Sequence, residues 1–239
     1  MKKWQKRAIV GILYVLSVAV AGFTIQKKAE SLEDRTQMAD SGEMENNEKK
    51  SAYREIKKVA LTFDDGPHPY YTETLLDGLK ERNVKATFFL IGDYVKAAPD
   101  IVKRISQEGH SIGNHTMHHV KLTDLSREDA RRELEEANKA IKDACGENVE
   151  QMRPPFGEWQ KNLEEETGMF PVLWTVDPRD WATEDVEEIV NRVVTSVGEN
   201  DIILLHDCYK TSVEAAFRIV DRLLEDGYEF VTAEELLAG

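Results

Sequence analysis

The chain has 239 residues, enough for one sizeable domain and an appendage. Its 45 acidic side chains outnumber 31 basic ones for a formal net charge of -14, which argues against a nucleic-acid partner, because a phosphate backbone needs a basic face. Only two cysteines occur, Cys145 and Cys208, far apart and without CxxC spacing. They cannot build a thiolate zinc site or a disulfide framework, and are read as two small buried hydrophobes, with a single bridge as the alternative.

The N-terminus opens with a basic flank, Met1–Arg7, followed by the apolar run Ala8–Ile25. That run is about the minimum for crossing ~30 Å of hydrocarbon, and the flanking Lys and Arg predict a cytoplasmic N-terminus. A membrane anchor is the expectation; Ala19-Val20-Ala21 offers the alternative of a signal peptide cleaved after Ala21. Either reading places the remainder outside the cytoplasm. Residues 26–57 are polar and nearly free of aromatics, as a solvated tether would be. The predicted organisation is therefore 1–25 anchor or signal, 26–57 linker and 58–239 folded domain.

From Lys58 the pattern alternates between strands and helices. Val59–Phe63 reads as a strand ended by the turn residues Asp64-Asp-Gly-Pro67. Thr72–Arg82 has helical spacing through Leu75, Leu76 and Leu79, and Ala86–Ile91 reads as a buried strand closed by Gly92. Pro99–Glu108 reads as a helix with Pro near its start and Gly109 as its stop, and Ser111–Asn114 as a short strand. Ser126–Ala144 is a long amphipathic helix in which Ser126 and Asp129 resemble a capping box. Further on come strand Pro171–Val176, helix Thr183–Val197, strand Asp201–Leu205, helix Val213–Glu225, strand Glu229–Val231 and a terminal helix. Repeated βα units predict an α/β fold with a mainly parallel sheet, whose chemistry sits at the carboxyl ends of the strands.

Polar residues gather at those ends: Asp64 and Asp65, His115 and His119, Arg153, Asp177 and Asp180, and His206. His115-x-x-x-His119 has metal-ligand spacing, since residues four apart share a face on a helical turn, although surface histidines produce the same pattern. A carboxylate as third ligand suits a hydrolytic zinc with open positions for water. Asp64-Asp65 can supply it, one carboxylate binding metal while the other serves as base; the plain alternative for Asp-Asp-Gly-Pro is a turn.

Thr62-Phe-Asp-Asp-Gly-Pro67 together with His115-Thr-Met-His-His119 resembles the NodB-homology polysaccharide deacetylases, carbohydrate esterase family 4. Arg153-Pro-Pro-Phe156, Asp177-Pro-Arg-Asp-Trp181 and Leu204-Leu-His206 are similar to three further family motifs, in order, so the resemblance covers roughly Lys58 to Leu237. It implies a distorted (β/α) barrel in which Asp65, His115 and His119 bind a divalent metal, usually zinc, with cobalt or another ion able to serve. It implies Asp64 as general base beside Arg153, and His206 as general acid tuned by Asp180. Trp181 would wall the sugar site, Leu204 would line the pocket for the acetyl methyl, and Phe156, where the family usually has Tyr, would offer its main-chain N–H to the oxyanion. Asp177 receives no role.

His68, His110 and His118 are left outside the site, as are Phe88, Phe89 and Trp174, read as core. A two-histidine, one-carboxylate iron(II) oxygenase uses the same ligand types, but needs neither the extra base nor His206, and its usual scaffold is a jelly roll. A wall-binding module without catalysis is the other rival; loss of Asp64, a ligand or His206 would signal it, and all are present. The expected partner is a glycan polymer, with peptidoglycan N-acetylglucosamine ahead of N-acetylmuramic acid, and chitin oligomers, other N-acetylated polymers or an acetyl ester left open.

Overall fold

A computed structural model of the protein describes residues 57–161 and 163–239. The apolar run Ala8–Ile25 and the tether up to residue 56 lie outside them. Among the described residues no helix is long and apolar enough to cross a membrane.

Seven strands form one parallel sheet: β1 (Lys57–Gly66), β2 (Thr87–Leu90), β3 (Ser111–Asn114), β4 (Gln151–Met152), β5 (Phe170–Pro171), β6 (Ile202–His206) and β7 (Tyr228–Val231). Their order is β5-β4-β3-β2-β1-β6, with β7 also paired to β1. The helices are α1 (Tyr71–Glu81), α2 (Gly92–Ala97), α3 (Pro99–Gln107), α4 (Arg127–Cys145), α5 (Leu163–Thr167), α6 (Val186–Val194), α7 (Lys210–Glu225) and α8 (Ala233–Ala238). β1 outruns its expected bounds at both ends. Lys57, assigned to the tether, pairs with Tyr228 of β7.

The alternation of strand side chains gives β1 two different faces. Val59, Leu61 and Phe63 enter the larger core with Leu75 and Leu79 of α1 and Ile219 of α7. Ala60 faces the other way, into a smaller cluster with Phe89, Val172 and Ile202. Thr62 and Asp64, two and four residues on, continue that second face. Phe88 and Phe89 are both fully buried, as expected of core residues, one in each cluster.

Pro171–Val176 is not the single strand its composition suggests. Val172 donates its N–H to the Met152 carbonyl at 2.7 Å, beside β4, while Thr175 and Val176 donate to the Ile202 carbonyl at 3.0 and 3.1 Å. Leu204 donates back to Val176 at 3.0 Å. One stretch thus leaves β4 and reaches β6, joining the two ends of the strand order by main-chain bonds. Leu173 and Trp174 lie between, where the ladder is interrupted.

Helix ends follow local chemistry. Gly92, expected to close β2, instead begins α2, its N–H held by the Thr116 carbonyl at 3.0 Å. In α4 the Ser126 hydroxyl accepts the Asp129 N–H at 3.2 Å, and Ala130, Leu134, Ala137 and Ile141 form the buried stripe. The Asp129 carboxylate meets the Ser126 hydroxyl at 2.6 Å instead of the Ser126 N–H, so the reciprocal half of a capping box is missing. A complete box occurs at α8, between Thr232 and Glu235.

Gly113 in β3 lies opposite Phe89 in β2, and a Cβ there would overlap the Phe89 ring. Gly113→Ala is expected to destabilise the domain by about 1–3 kcal/mol, read as a lower urea midpoint at unchanged m-value.

Candidate active site

The site begins with an irregularity in β1. Asp64 aligns with Phe89 of β2 and Gly66 aligns with Leu90, so Asp65 is an extra residue, bulged out with φ 69°. A bulge re-aims side chains that would otherwise alternate. Both carboxylates can then face the mouth, which the Gly66-Pro67 turn was expected to achieve alone.

His115 and His119 are not on a helical turn. They lie in the loop after β3, where Thr116 (φ 64°) and His119 (φ 54°) are left-handed. The loop nevertheless brings both His115 Nε2 and His119 Nε2 to 3.3 Å from Asp65 Oδ1. His115 Nδ1 lies 2.7 Å from the Arg153 carbonyl. A carbonyl only accepts, so Nδ1 carries the proton and Nε2 presents a lone pair.

The donor set fits a divalent metal. The ligand atoms of Asp65, His115 and His119 all lie within 4.8 Å of one another. Asp65 Oδ1 is buried and has no hydrogen-bond partner, the pattern expected where a cation completes the set. Burial would raise the Asp65 carboxyl, but the neighbouring imidazoles, His115 first and then His206 and His119, hold it below the usual carboxylate range. Burial holds the His119 imidazole below its ordinary value despite the pull of Asp65, which favours the neutral form a metal needs.

Asp64 is held from behind. Arg153, with no solvent exposure, donates from Nη1 to Asp64 Oδ1 at 2.8 Å and to Thr62 Oγ1 at 2.7 Å. Its Nε donates to the Val172 carbonyl at 3.0 Å and Nη2 to the Leu173 carbonyl at 3.4 Å. The guanidinium lies 4.1 Å from the Phe89 ring centroid and 5.6 Å from that of Trp174. Burial depresses its pKa, and Asp64 opposes that by charge and hydrogen bond. Asp64 Oδ2, facing away from Arg153, lies 3.8 Å from His115 Nε2.

His206 is Asp64's partner in the β1–β6 ladder. Its Nδ1 meets Asp180 Oδ1 at 2.8 Å, and its N–H donates to Asp180 Oδ2 at 2.8 Å. Burial alone would depress the imidazole; the Asp180 hydrogen bond and charge, with Asp64 and Asp65, push it up to about 9. With Nδ1 engaged, Nε2 remains to donate a proton. The next residue, Asp207, is fully buried, and burial pushes its carboxyl up to about 7 even though Thr72 Oγ1 donates to it at 2.5 Å.

A cleft of about 440 Å³ joins these groups, lined by Asp64, Asp65, His115, His119 and His206 and walled by Phe156, Trp181 and Leu204. Arg153 and Asp180 sit buried behind it. Trp174, read as core, is only partly buried and lines the cleft, because the break in the strand after Val172 turns it there. Asp177 lines it too, its Oδ1 accepting the Arg179 N–H at 2.8 Å, and so does Tyr209, which no sequence motif marks. The excluded histidines have local roles. His68 Nδ1 accepts the Tyr70 and Tyr71 N–H groups at 3.2 and 3.1 Å at the start of α1. His110, buried and held down to about 4 by that burial, accepts the Ala86 N–H at 3.1 Å. His118 lies at the surface and pairs with Glu133. Cys145 and Cys208 are free and half-buried.

The value for His206 lies above the ordinary 6.5, so its stabilisation of the fold is complete below about pH 6.5 and is lost as pH rises through about 9. By NMR, the His206 ring of the metal-free protein is expected to titrate near 9 and to move toward 6.5 in Asp180→Asn, where burial loses its main opponent. A ring still titrating near 9 in the variant would show that Asp180 is not the source.

Residues 51–171 match the family model described as polysaccharide deacetylase. The chain is 41% identical over 189 residues to a peptidoglycan-N-acetylglucosamine deacetylase of Bacillus cereus, covering 76% of this chain and 88% of that one. It is 39% identical over 180 residues to the peptidoglycan-N-acetylmuramic acid deacetylase PdaC of Bacillus subtilis, covering 75% of this chain. It spans only 38% of that relative's own length. The solved structure of PdaC superposes with a TM-score of 0.75 at 38% identity, over 77% of this chain and 91% of that one. A CE4 family pseudoenzyme from Bacillus anthracis superposes with a TM-score of 0.72 at 30% identity, over 77% and 66% of the two chains. With its parallel α/β sheet and all five motifs gathered at one end of it, the chain belongs to the polysaccharide deacetylase family, the NodB-homology or CE4 group.

Proposed function

We propose that this chain is a metal-dependent N-deacetylase that releases acetate from an extracytoplasmic amino-sugar polymer, foremost the N-acetylglucosamine of peptidoglycan. The observation that carries the reading is the convergence on one cleft of an unpartnered Asp65 oxygen, two imidazole Nε2 atoms, an arginine-held Asp64 and an aspartate-held His206. The joined sheet margins support the distorted (β/α) barrel.

Asp65, His115 and His119 would hold the metal, zinc foremost. When bound, the ion supplies Lewis-acid activation of a water and of the amide oxygen. Asp64 takes the proton from the attacking water through Oδ2, since Oδ1 is engaged by Arg153. The main-chain N–H of Phe156, left-handed at φ 61°, would face the oxyanion. His206 protonates the leaving amine from Nε2, because an amine departs poorly without a proton. Base and acid must hold opposite protonation states at one pH; the value near 9 at His206 supports the acid role. Trp174, Trp181 and Tyr209 would stack on or flank the sugar, and Leu204 would meet the acetyl methyl.

Among the described residues no lysine or arginine lines the cleft, while Asp177 does. A neutral sugar suits that lining better than one bearing a lactyl carboxylate, which supports N-acetylglucosamine over N-acetylmuramic acid. The basic flank and apolar run at the N-terminus, with relatives named for peptidoglycan, support action outside the cytoplasm by an anchored or exported chain. The similarity to a pseudoenzyme makes a purely binding role the second reading.

Acetate release from peptidoglycan, chitooligosaccharides and acetylxylan distinguishes them, using the 239-residue chain in mild detergent with zinc or cobalt. Release from peptidoglycan is expected, stopped by chelator and lowered about 10²–10⁴-fold by Asp64→Asn. Glycan binding without acetate from any substrate, in a metal-loaded protein, would favour the binding module.

A further inference from the structure

The loop carrying His115 and His119 has little regular structure of its own, yet each N–H group between the two histidines has a side-chain acceptor tied to α4. Asn114 Oδ1 accepts the Thr116 N–H at 2.7 Å, while its Nδ2 donates to the Leu134 carbonyl at 2.9 Å and to Asn138 Oδ1 at 2.7 Å. Glu133 Oε2 accepts the Met117 and His118 N–H groups at 3.1 and 3.0 Å. Glu133 Oε1 meets His118 Nδ1 at 2.7 Å. Successive N–H groups around a left-handed residue form a concavity that prefers an anion, and the Glu133 carboxylate fills it.

We propose that Glu133 is a positioning residue for the metal centre. It makes no hydrogen bond or ion pair with the three ligand side chains; it acts through the main chain of Met117 and His118, holding the loop in the conformation that brings His115 Nε2 and His119 Nε2 to the same Asp65 oxygen. The left-handed backbone at Thr116 and His119 makes this support necessary, because such conformations persist in non-glycine residues only where the surroundings impose them. The single oxygen shared by two N–H groups is the essential part. The His118 pair, on an exposed side chain, is secondary. This inference rests on the metal-site reading above.

The test is cobalt(II) affinity of the metal-free 239-residue chain, by calorimetry and by the visible absorption of the bound ion, with thermal unfolding of each metal-free variant as the control for folding. Wild type is expected to bind one equivalent and His115→Ala to lose it. Glu133→Ala is expected to weaken binding about 10-fold or more, the scale of lost support around metal ligands, and to alter the absorption band. Glu133→Gln, which keeps an oxygen for both N–H groups, and His118→Ala are expected to bind as wild type does. Glu133→Ala binding like wild type would overturn the positioning role. So would Glu133→Gln binding more weakly than wild type by about 10-fold or more, since charge pairing would then be the cause; this comparison with wild type remains available if the alanine variant fails to fold. Failure of wild type itself to bind cobalt would instead remove the metal-site reading.

Discussion

A guanidinium with no exposure to water keeps its charge only if hydrogen bonds and a counter-charge replace hydration, since the effective penalty for an unmatched buried ion is several kcal/mol. Arg153 meets that condition by drawing on parts of the chain far apart in sequence: Thr62 and Asp64 on β1, the carbonyls of Val172 and Leu173, and the Phe89 ring on β2. The contacts from Val172 and Leu173 come from the stretch that links β4 to β6. The arginine is therefore satisfied only in the assembled sheet, and the carboxylate proposed as base is one of its neutralising partners. Core and site share this residue, so neither can be altered at Arg153 without the other.

The same electrostatic frame separates the other titratable groups. Asp65 lies among imidazoles and is held ionised, while His206 lies among carboxylates and is held cationic. Each environment opposes the effect of burial on its own group. Asp207, one residue beyond His206, is fully buried, and that burial, with the charge of Asp65, outweighs the Thr72 hydrogen bond and the His206 charge and pushes it toward neutrality. Two carboxylates at the ends of neighbouring strands thus have different electrostatic surroundings, set by which groups face each one.

Much of this was legible from residue order. The βα alternation, the Ser126 cap, the Pro99 helix start and the grouping of polar residues after strands follow from local periodicity and turn chemistry, and the residues named from motifs line the cleft except Arg153 and Asp180, which are buried behind it. What was not legible depends on long-range pairing. A bulge at Asp65 exists only relative to β2, so the side-chain directions of Asp64 and Asp65 were assigned to the turn instead. HxxxH spacing suggested a helical turn, but the chain is left-handed at Thr116 and His119, with the N–H groups between them bonded to Asn114 of β3 and Glu133 of α4. Pro171–Val176 is apolar enough for one strand, yet it pairs with two different neighbours and breaks at Leu173 and Trp174. Trp174 looked like a core aromatic because its exposure depends on that break, and Tyr209, just before α7, belongs to no motif.

The pairing of Asp64 with His206 across the β1–β6 ladder has an evolutionary consequence. The backbones that carry the proposed base and acid are spaced by the separation of adjacent parallel strands, roughly 4.8 Å, a dimension that main-chain bonding enforces in any sheet. Insertions and substitutions in the surrounding loops can reshape the cleft without disturbing that spacing. Descendants of such a scaffold are free to change the polymer they accept while inheriting the reaction intact, and can lose the reaction through a single residue while keeping every contour of the fold.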